Sequence, residues 1–187
     1  MRWALDMLQG GGCDPVVVVL SPTMPVPDDV REDSSILFTS GGTTRQDSVA
    51  NGLRLITSER VVIHDAARPL ADVALLRRVL AALDDVEGVI PAIPVDETIK
   101  RVADERSLET VDRNGLWRAQ TPAAFHTKAL RAAYERASQA GFTGTDESQL
   151  IERNGGTVAI VLGSRTNIKV TYPEDVHLVE SIMGDKT

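Results

Sequence analysis

Cysteine is almost missing from this chain: among 187 residues only Cys13 occurs. One thiol cannot close an internal disulfide, so the fold must hold without cross-links, which fits a reducing, cytoplasmic setting. Aromatic residues make up only 4% of the sequence, which leaves the core to Val, Leu, Ile and Ala. No apolar run approaches the ~18 residues of a membrane span, and no signal peptide opens the sequence. Positive charge is also in deficit. The 20 Lys and Arg against 27 Asp and Glu give a formal net charge of −7, which argues against nucleic-acid binding through a basic face. A phosphate ligand remains open to such a chain if a few cations converge locally.

What is present is a rhythm of buried strands and amphipathic helices. Val16 to Leu20 is a continuous β-branched run bounded by Pro15 and Ser21-Pro22, the mark of a strand covered on both faces. Ile36 to Phe38, Val61 to Ile63, Val89 to Ile93 and Val158 to Leu162 repeat it. Between them, Val49, Leu53 and Ile56, then Val73, Leu76, Leu80 and Leu83, then Leu130, Tyr134 and Ala137 fall at helical spacing, and Val176, Val179 and Ile182 close the chain. The pattern predicts an α/β fold, a Rossmann-like, mostly parallel sheet with helices on both faces. Residues 94 to 121 break the rhythm, because Thr98 to Val102 and Leu108 to Val111 alternate apolar and polar. They read as a β-arm leaving the main sheet, or as a surface hairpin without a role. Met1 to Leu8 resembles the second half of a helix, where doubly wound sheets usually open with a strand and a phosphate-binding turn.

Ligands of open parallel sheets bind beyond the carboxyl ends of the strands. After Ile36 to Phe38 comes TSGGTTRQDSV, with Gly41 and Gly42 able to approach a ligand closely and Ser48 able to cap a helix or bond a polar group. Neither the P-loop nor the dinucleotide fingerprint spacing occurs. After Val61 to Ile63 comes HDAARP. Neighbouring strand residues point to opposite faces, so His64 and Asp65 are poorly placed to act on one atom, and no Gly-x-Ser-x-Gly elbow exists. Asp65 suits a hard cation such as magnesium, Ala66 and Ala67 leave room, and Arg68 either offers a fork to phosphate or braces the turn against Asp65. GTDES reads as a helix start capped by Thr145 or Asp146, and Arg165 and Lys169 follow the last strand. His126 and His177 lack metal spacing and read as structural. Together Asp65, Arg68, Thr145 and Lys169 suggest a site for a phosphorylated ligand with magnesium.

The segments GGTTRQDSV, VVIHDAARP, ETIKR, DRNGLWRAQTP, TDES and NIKVT occur in an order and spacing that resembles the 2-C-methyl-D-erythritol 4-phosphate cytidylyltransferase family, from about Met1 to about Ile182. The resemblance implies a homodimeric transferase of the non-mevalonate isoprenoid pathway that joins CTP and methylerythritol phosphate, with magnesium, and releases pyrophosphate. It implies that Gly42, Ser48 and Ala66 bind the nucleotide. Asp65 would serve the metal and the substrate, Arg113 and Lys169 would position the substrate phosphate, and Thr98, Thr121, Thr145 and Arg68 would line the substrate pocket. It also makes residues 94 to 121 a dimerisation arm that carries Thr98 and Arg113 into the neighbouring subunit.

Two departures are mild, Glu97 and Ala123 standing where the family pattern has Asp and Gln. A third is larger. The family pattern opens with a strand and a Gly-rich loop bearing Arg and Lys, roughly 40 residues on the scale of a βα unit, and the chain reads as a single domain over residues 1 to 187 without them. A sheet lacking that central strand is therefore expected. A ribitol-phosphate cytidylyltransferase would share most of the motifs, and a non-catalytic nucleotide-binding or dimerisation module would tolerate the missing loop.

Overall fold

The computed structural model describes residues 1–184. Its elements run α1 (Arg2–Gly10), β1 (Val16–Leu20), α2 (Asp28–Arg31), β2 (Ile36–Ser40), α3 (Arg45–Leu53), β3 (Arg60–Ile63), α4 (Val73–Ala81) and β4 (Gly88–Pro94). Then follow β5 (Ile99–Ala103), β6 (Arg106–Val111), β7 (Trp117–Ala119), β8 (Ala123–His126), α5 (Thr127–Gln139), α6 (Glu147–Arg153), β9 (Val158–Leu162) and α7 (Pro173–Gly184). Every β-branched run singled out above forms a strand.

The α/β class is as expected, and the sheet is mixed. β4 takes β9 in parallel on one edge. On its other edge lie β7 and then β8, both antiparallel, and β8 in turn pairs β3 antiparallel. β7 and β8 are separated only by Gln120, Thr121 and Pro122, where the ladder breaks. β8 itself was not legible as a strand: Ala123-Ala124-Phe125-His126 has no β-branched residue, and packing rather than propensity holds it. Its pleat places Ala124 and Phe125 on opposite faces. Phe125 is fully buried against Leu130, Ala133 and Ile151 of α5 and α6, and Ala124 against Val79 and Leu83 beside α4.

β1 and β2 form a separate parallel pair. No ladder joins β1 to β3, and an apolar cleft of about 740 Å³ is lined by all of β1 and β3. Helices bridge the two layers: α3 packs so near β1 that a Cβ on Gly52 would stand 3.1 Å from Val19, and Met7 of α1 packs with Leu76 of α4. β5 and β6 form the expected hairpin, which leaves the main sheet after β4 and returns at β7. Phe125→Ala should lower unfolding free energy in urea by about 3–5 kcal/mol, the cost of emptying an aromatic site in a packed core. A loss under about 1 kcal/mol would show that β8 is not the centre of the main core.

Candidate active site

The break between β7 and β8 is where polar chemistry gathers. Past the end of β3, the Asp65 amide donates to the Thr121 hydroxyl at 3.0 Å, and the same hydroxyl lies 3.0 Å from His64 Nδ1. This tie leaves the Asp65 carboxylate facing two cations: Oδ2 is 3.0 Å from Lys169 Nζ and Oδ1 is 3.3 Å from Arg45 Nη2. Burial alone would push the Asp65 carboxyl up, but Lys169 and Arg45 outweigh it and hold the group below its ordinary value.

Arg45, the first residue of α3, was not singled out as a site residue, nor was Glu147, the first residue of α6. They are 102 positions apart, yet Arg45 Nη1 and Nη2 meet Glu147 Oε1 and Oε2 at 2.7 and 2.9 Å. Glu147 is only 3% exposed. The Tyr134 hydroxyl donates to Glu147 Oε1 at 3.1 Å, and burial followed by the Glu147 charge raises the phenol pKa, so it remains a donor. Burial works against the Arg45 charge, yet Glu147 and then Asp65 raise its pKa above the ordinary guanidinium value. The one legible signal was an acidic residue at a helix start inside TDES, with nothing to say where its cation lay.

Lys169 is placed by a pinned loop. Gln120 Nε2 donates to the carbonyls of Ser164 and Asn167, and its Oε1 accepts from the Ser164 amide. Gly163 is required here, because a Cβ would meet Gln120 Oε1 at 2.3 Å. Asn167, fully buried, donates to the Thr121 carbonyl at 2.8 Å, and the Val170 amide donates to the Ala67 carbonyl. The NIK segment is thus stitched to both sides of the ladder break.

Two cavities meet at this network. A smaller pocket of about 220 Å³ is lined by Arg68, Thr121, Thr145 and Lys169, with Arg45 and Asp65 on its wall. The larger cleft is lined by Ser48 and Ala66, and by Arg45 and Asp65 again. Arg45 and Asp65 therefore line both spaces. Other expected residues lie differently. Ser48 is not the cap of α3: Thr44 is, in a capping box with Asp47, while Ser48 Oγ accepts from the Gly42 amide at 3.1 Å and donates to the Thr44 carbonyl. Gly42 lines neither cavity, and a Cβ there would strike Asp47 at 2.2 Å. Asp146, not Thr145, caps α6. Arg68 does not brace Asp65 through its side chain. Its guanidinium donates to the carbonyls of Asn167 and Ala119 at 2.8 and 3.2 Å, and burial lowers its pKa. Thr98 and Arg113 sit exposed near the hairpin, away from both cavities, with Arg113 donating to the Asp96 carbonyl.

A family model for 2-C-methyl-D-erythritol 4-phosphate cytidylyltransferase matches residues 1–185. The chain belongs to this family. It is 43% identical over 157 residues to the cytidylyltransferase of Aquifex aeolicus, covering 84% of this chain and 73% of that one. Against the Geobacillus thermodenitrificans cytidylyltransferase, identity is 38% over 180 residues, covering 93% of this chain and 79% of the relative. The crystal structure of the Thermus thermophilus cytidylyltransferase superposes with a TM-score of 0.88 at 33% identity, covering 96% of this chain and 86% of that one. Sequence and fold together thus show the methylerythritol phosphate cytidylyltransferase family.

A cytidylyltransferase site must tolerate phosphates and their cation. Among the described residues no group of three or more His, Cys, Asp or Glu side chains gathers in a way that could hold a metal by itself. One carboxylate at the meeting of two cavities suits a magnesium ion that takes most of its oxygens from phosphates and water.

His64 is displaced towards neutrality. Burial lowers its pKa to about 4 from the ordinary 6.5, against a smaller upward pull from Asp65. The unfolded chain therefore takes up a proton as pH falls through 6.5 while the folded chain does not, so stability present above pH 6.5 is lost on descending towards pH 4. Between pH 6.5 and 4.5, metal-free protein should lose stability with a slope reaching about 1.4 kcal/mol per pH unit from this group. Urea titrations at several pH values should find His64→Gln visibly flatter over that window, and equal slopes would remove His64 as the cause.

Proposed function

We propose that this chain transfers a cytidylyl group from CTP to 2-C-methyl-D-erythritol 4-phosphate and releases pyrophosphate. The observation that carries the proposal is the placement of Asp65 and Arg45 on the shared wall of two cavities, with Ser48 and Ala66 lining one and Thr121, Thr145 and Lys169 lining the other. Two reactants held on either side would meet beside Asp65. A phosphate oxygen of the alcohol phosphate attacks the α-phosphorus of CTP, and the bond to the β-phosphate oxygen breaks. Such a transfer needs alignment and charge neutralisation more than covalent help. Lys169 and Arg45 supply fixed positive charge at the junction, and the Thr121 and Thr145 hydroxyls supply hydrogen bonds to the alcohol phosphate. Magnesium arriving with the triphosphate would take Asp65 as its protein oxygen and add positive charge at the phosphates.

The working unit in this reading is a cytoplasmic homodimer. The hairpin carries Val102 at 57% and Leu108 at 62% exposure, apolar surface that a partner subunit would cover, and its Arg113 serves no pocket of its own chain. Thr98 and Arg113 then complete the partner's site. Among the described residues no helix is long and apolar enough to cross a membrane.

Pyrophosphate release from CTP, magnesium and methylerythritol phosphate tests the activity. Lys169→Ala should lower turnover at least about a hundredfold, as expected for removing a cation from a phosphoryl-transfer site, while its melting temperature stays close to that of the parent. Equal loss of both would assign Lys169 to structure alone. An equal mixture of Arg113→Ala and Lys169→Ala chains, unfolded and refolded together, should regain about a quarter of parental activity, because random pairing restores one intact site in half of the dimers. No recovery would exclude a shared arm.

A further inference from the structure

Arg45 faces a choice of carboxylates. Its guanidinium is 38% exposed and carries five donors, and both Asp65 and Glu147 lie within its reach. It forks onto Glu147 at 2.7 and 2.9 Å and touches Asp65 at only one oxygen, 3.3 Å away. The short, paired contact is the stronger of the two. We propose that Glu147 is a positioning residue for the transfer: by holding Arg45 in a fork, it prevents Arg45 from closing onto Asp65 and leaves Asp65 to Lys169 and to the cation that accompanies the incoming phosphates. This proposal rests on the functional reading above.

The four side chains alternate in sign, Glu147, Arg45, Asp65, Lys169, and sum to zero. Three features make Glu147 the fixed end. It is nearly inaccessible, it accepts a further hydrogen bond from Tyr134, and as the first residue of α6 it cannot move without the helix. A buried carboxylate with a committed cation is held tightly, because losing that partner leaves an uncompensated charge. Without Glu147, nothing else anchors the Arg45 guanidinium, and the nearest carboxylate is Asp65. A fork there would displace Lys169 and draw a guanidinium across the wall between the cavities.

The test combines kinetics with structure. Glu147→Gln should lower kcat about 10- to 100-fold, the scale of a small misplacement at a transfer site, with KM for CTP changed less than about threefold. The same substitution in an Arg45→Met background should cost less than about twofold more, since Glu147 acts through Arg45. A crystal structure of the Glu147→Gln chain should show Arg45 forked onto Asp65 and Lys169 Nζ more than about 4 Å from it. Equal kcat losses in both backgrounds, or Arg45 and Lys169 unmoved in that crystal structure, would overturn the proposal. Should Glu147→Gln fail to fold, Arg45→Lys keeps the charge, loses the fork and lies on the surface. It should lower kcat about tenfold or more, and parental kcat would overturn the proposal. A parent chain that releases no pyrophosphate would sink the functional reading, while the crystal structure would still decide the placement of Arg45.

Discussion

A carboxylate that is 3% exposed must be matched by a cation wherever the fold can bring one. Here the cation comes from Arg45, 102 residues earlier, and the pairing fixes α3 against α6 across the main core. Once Arg45 is committed to Glu147, only one of its nitrogens can lean towards Asp65, and Asp65 can take Lys169 on its other oxygen. The geometry of the junction thus descends from the need to neutralise one buried carboxylate. Gln120, Thr121 and Asn167 do the corresponding work on the other side. They use the interruption between β7 and β8 to hold the end of β3 and the loop of Lys169 in one frame.

This arrangement suits a reaction whose participants are all anions. Cations already paired and oriented need little rearrangement when phosphates enter, which is the sense in which charge stabilisation is built before the reaction rather than during it. The chain as a whole is acidic, at −7, so its positive charge acts through local placement.

Much of the fold was legible because buried strands announce themselves in β-branched runs such as Val16 to Leu20 and Val158 to Leu162. β8 was not, since Ala124 and Phe125 owe their conformation to what packs on either face. Asp65 and Lys169 were legible from their position just past strands. Arg45 and Glu147 were not, because a pairing over 102 residues leaves no local spacing. Arg68 does not brace Asp65, one of the two readings its position allowed: strand-end position fixes where a side chain starts, while its partners here are carbonyls contributed by Asn167 and Ala119. Ser48 shows the same limit, as Thr44 with Asp47 made the better cap.

The separation of β1 and β2 from the main sheet has a mechanical meaning. Backbone ladders carry strain between strands, and none crosses from β1 to β3. Helices couple the layers instead: Met7 of α1 packs with Leu76, α3 lies against Val19 at Gly52, and Arg45 of α3 holds Glu147. The cohesion of the layer of β1 and β2 with the rest of the molecule therefore rests on α1 and α3 rather than on a continuous ladder.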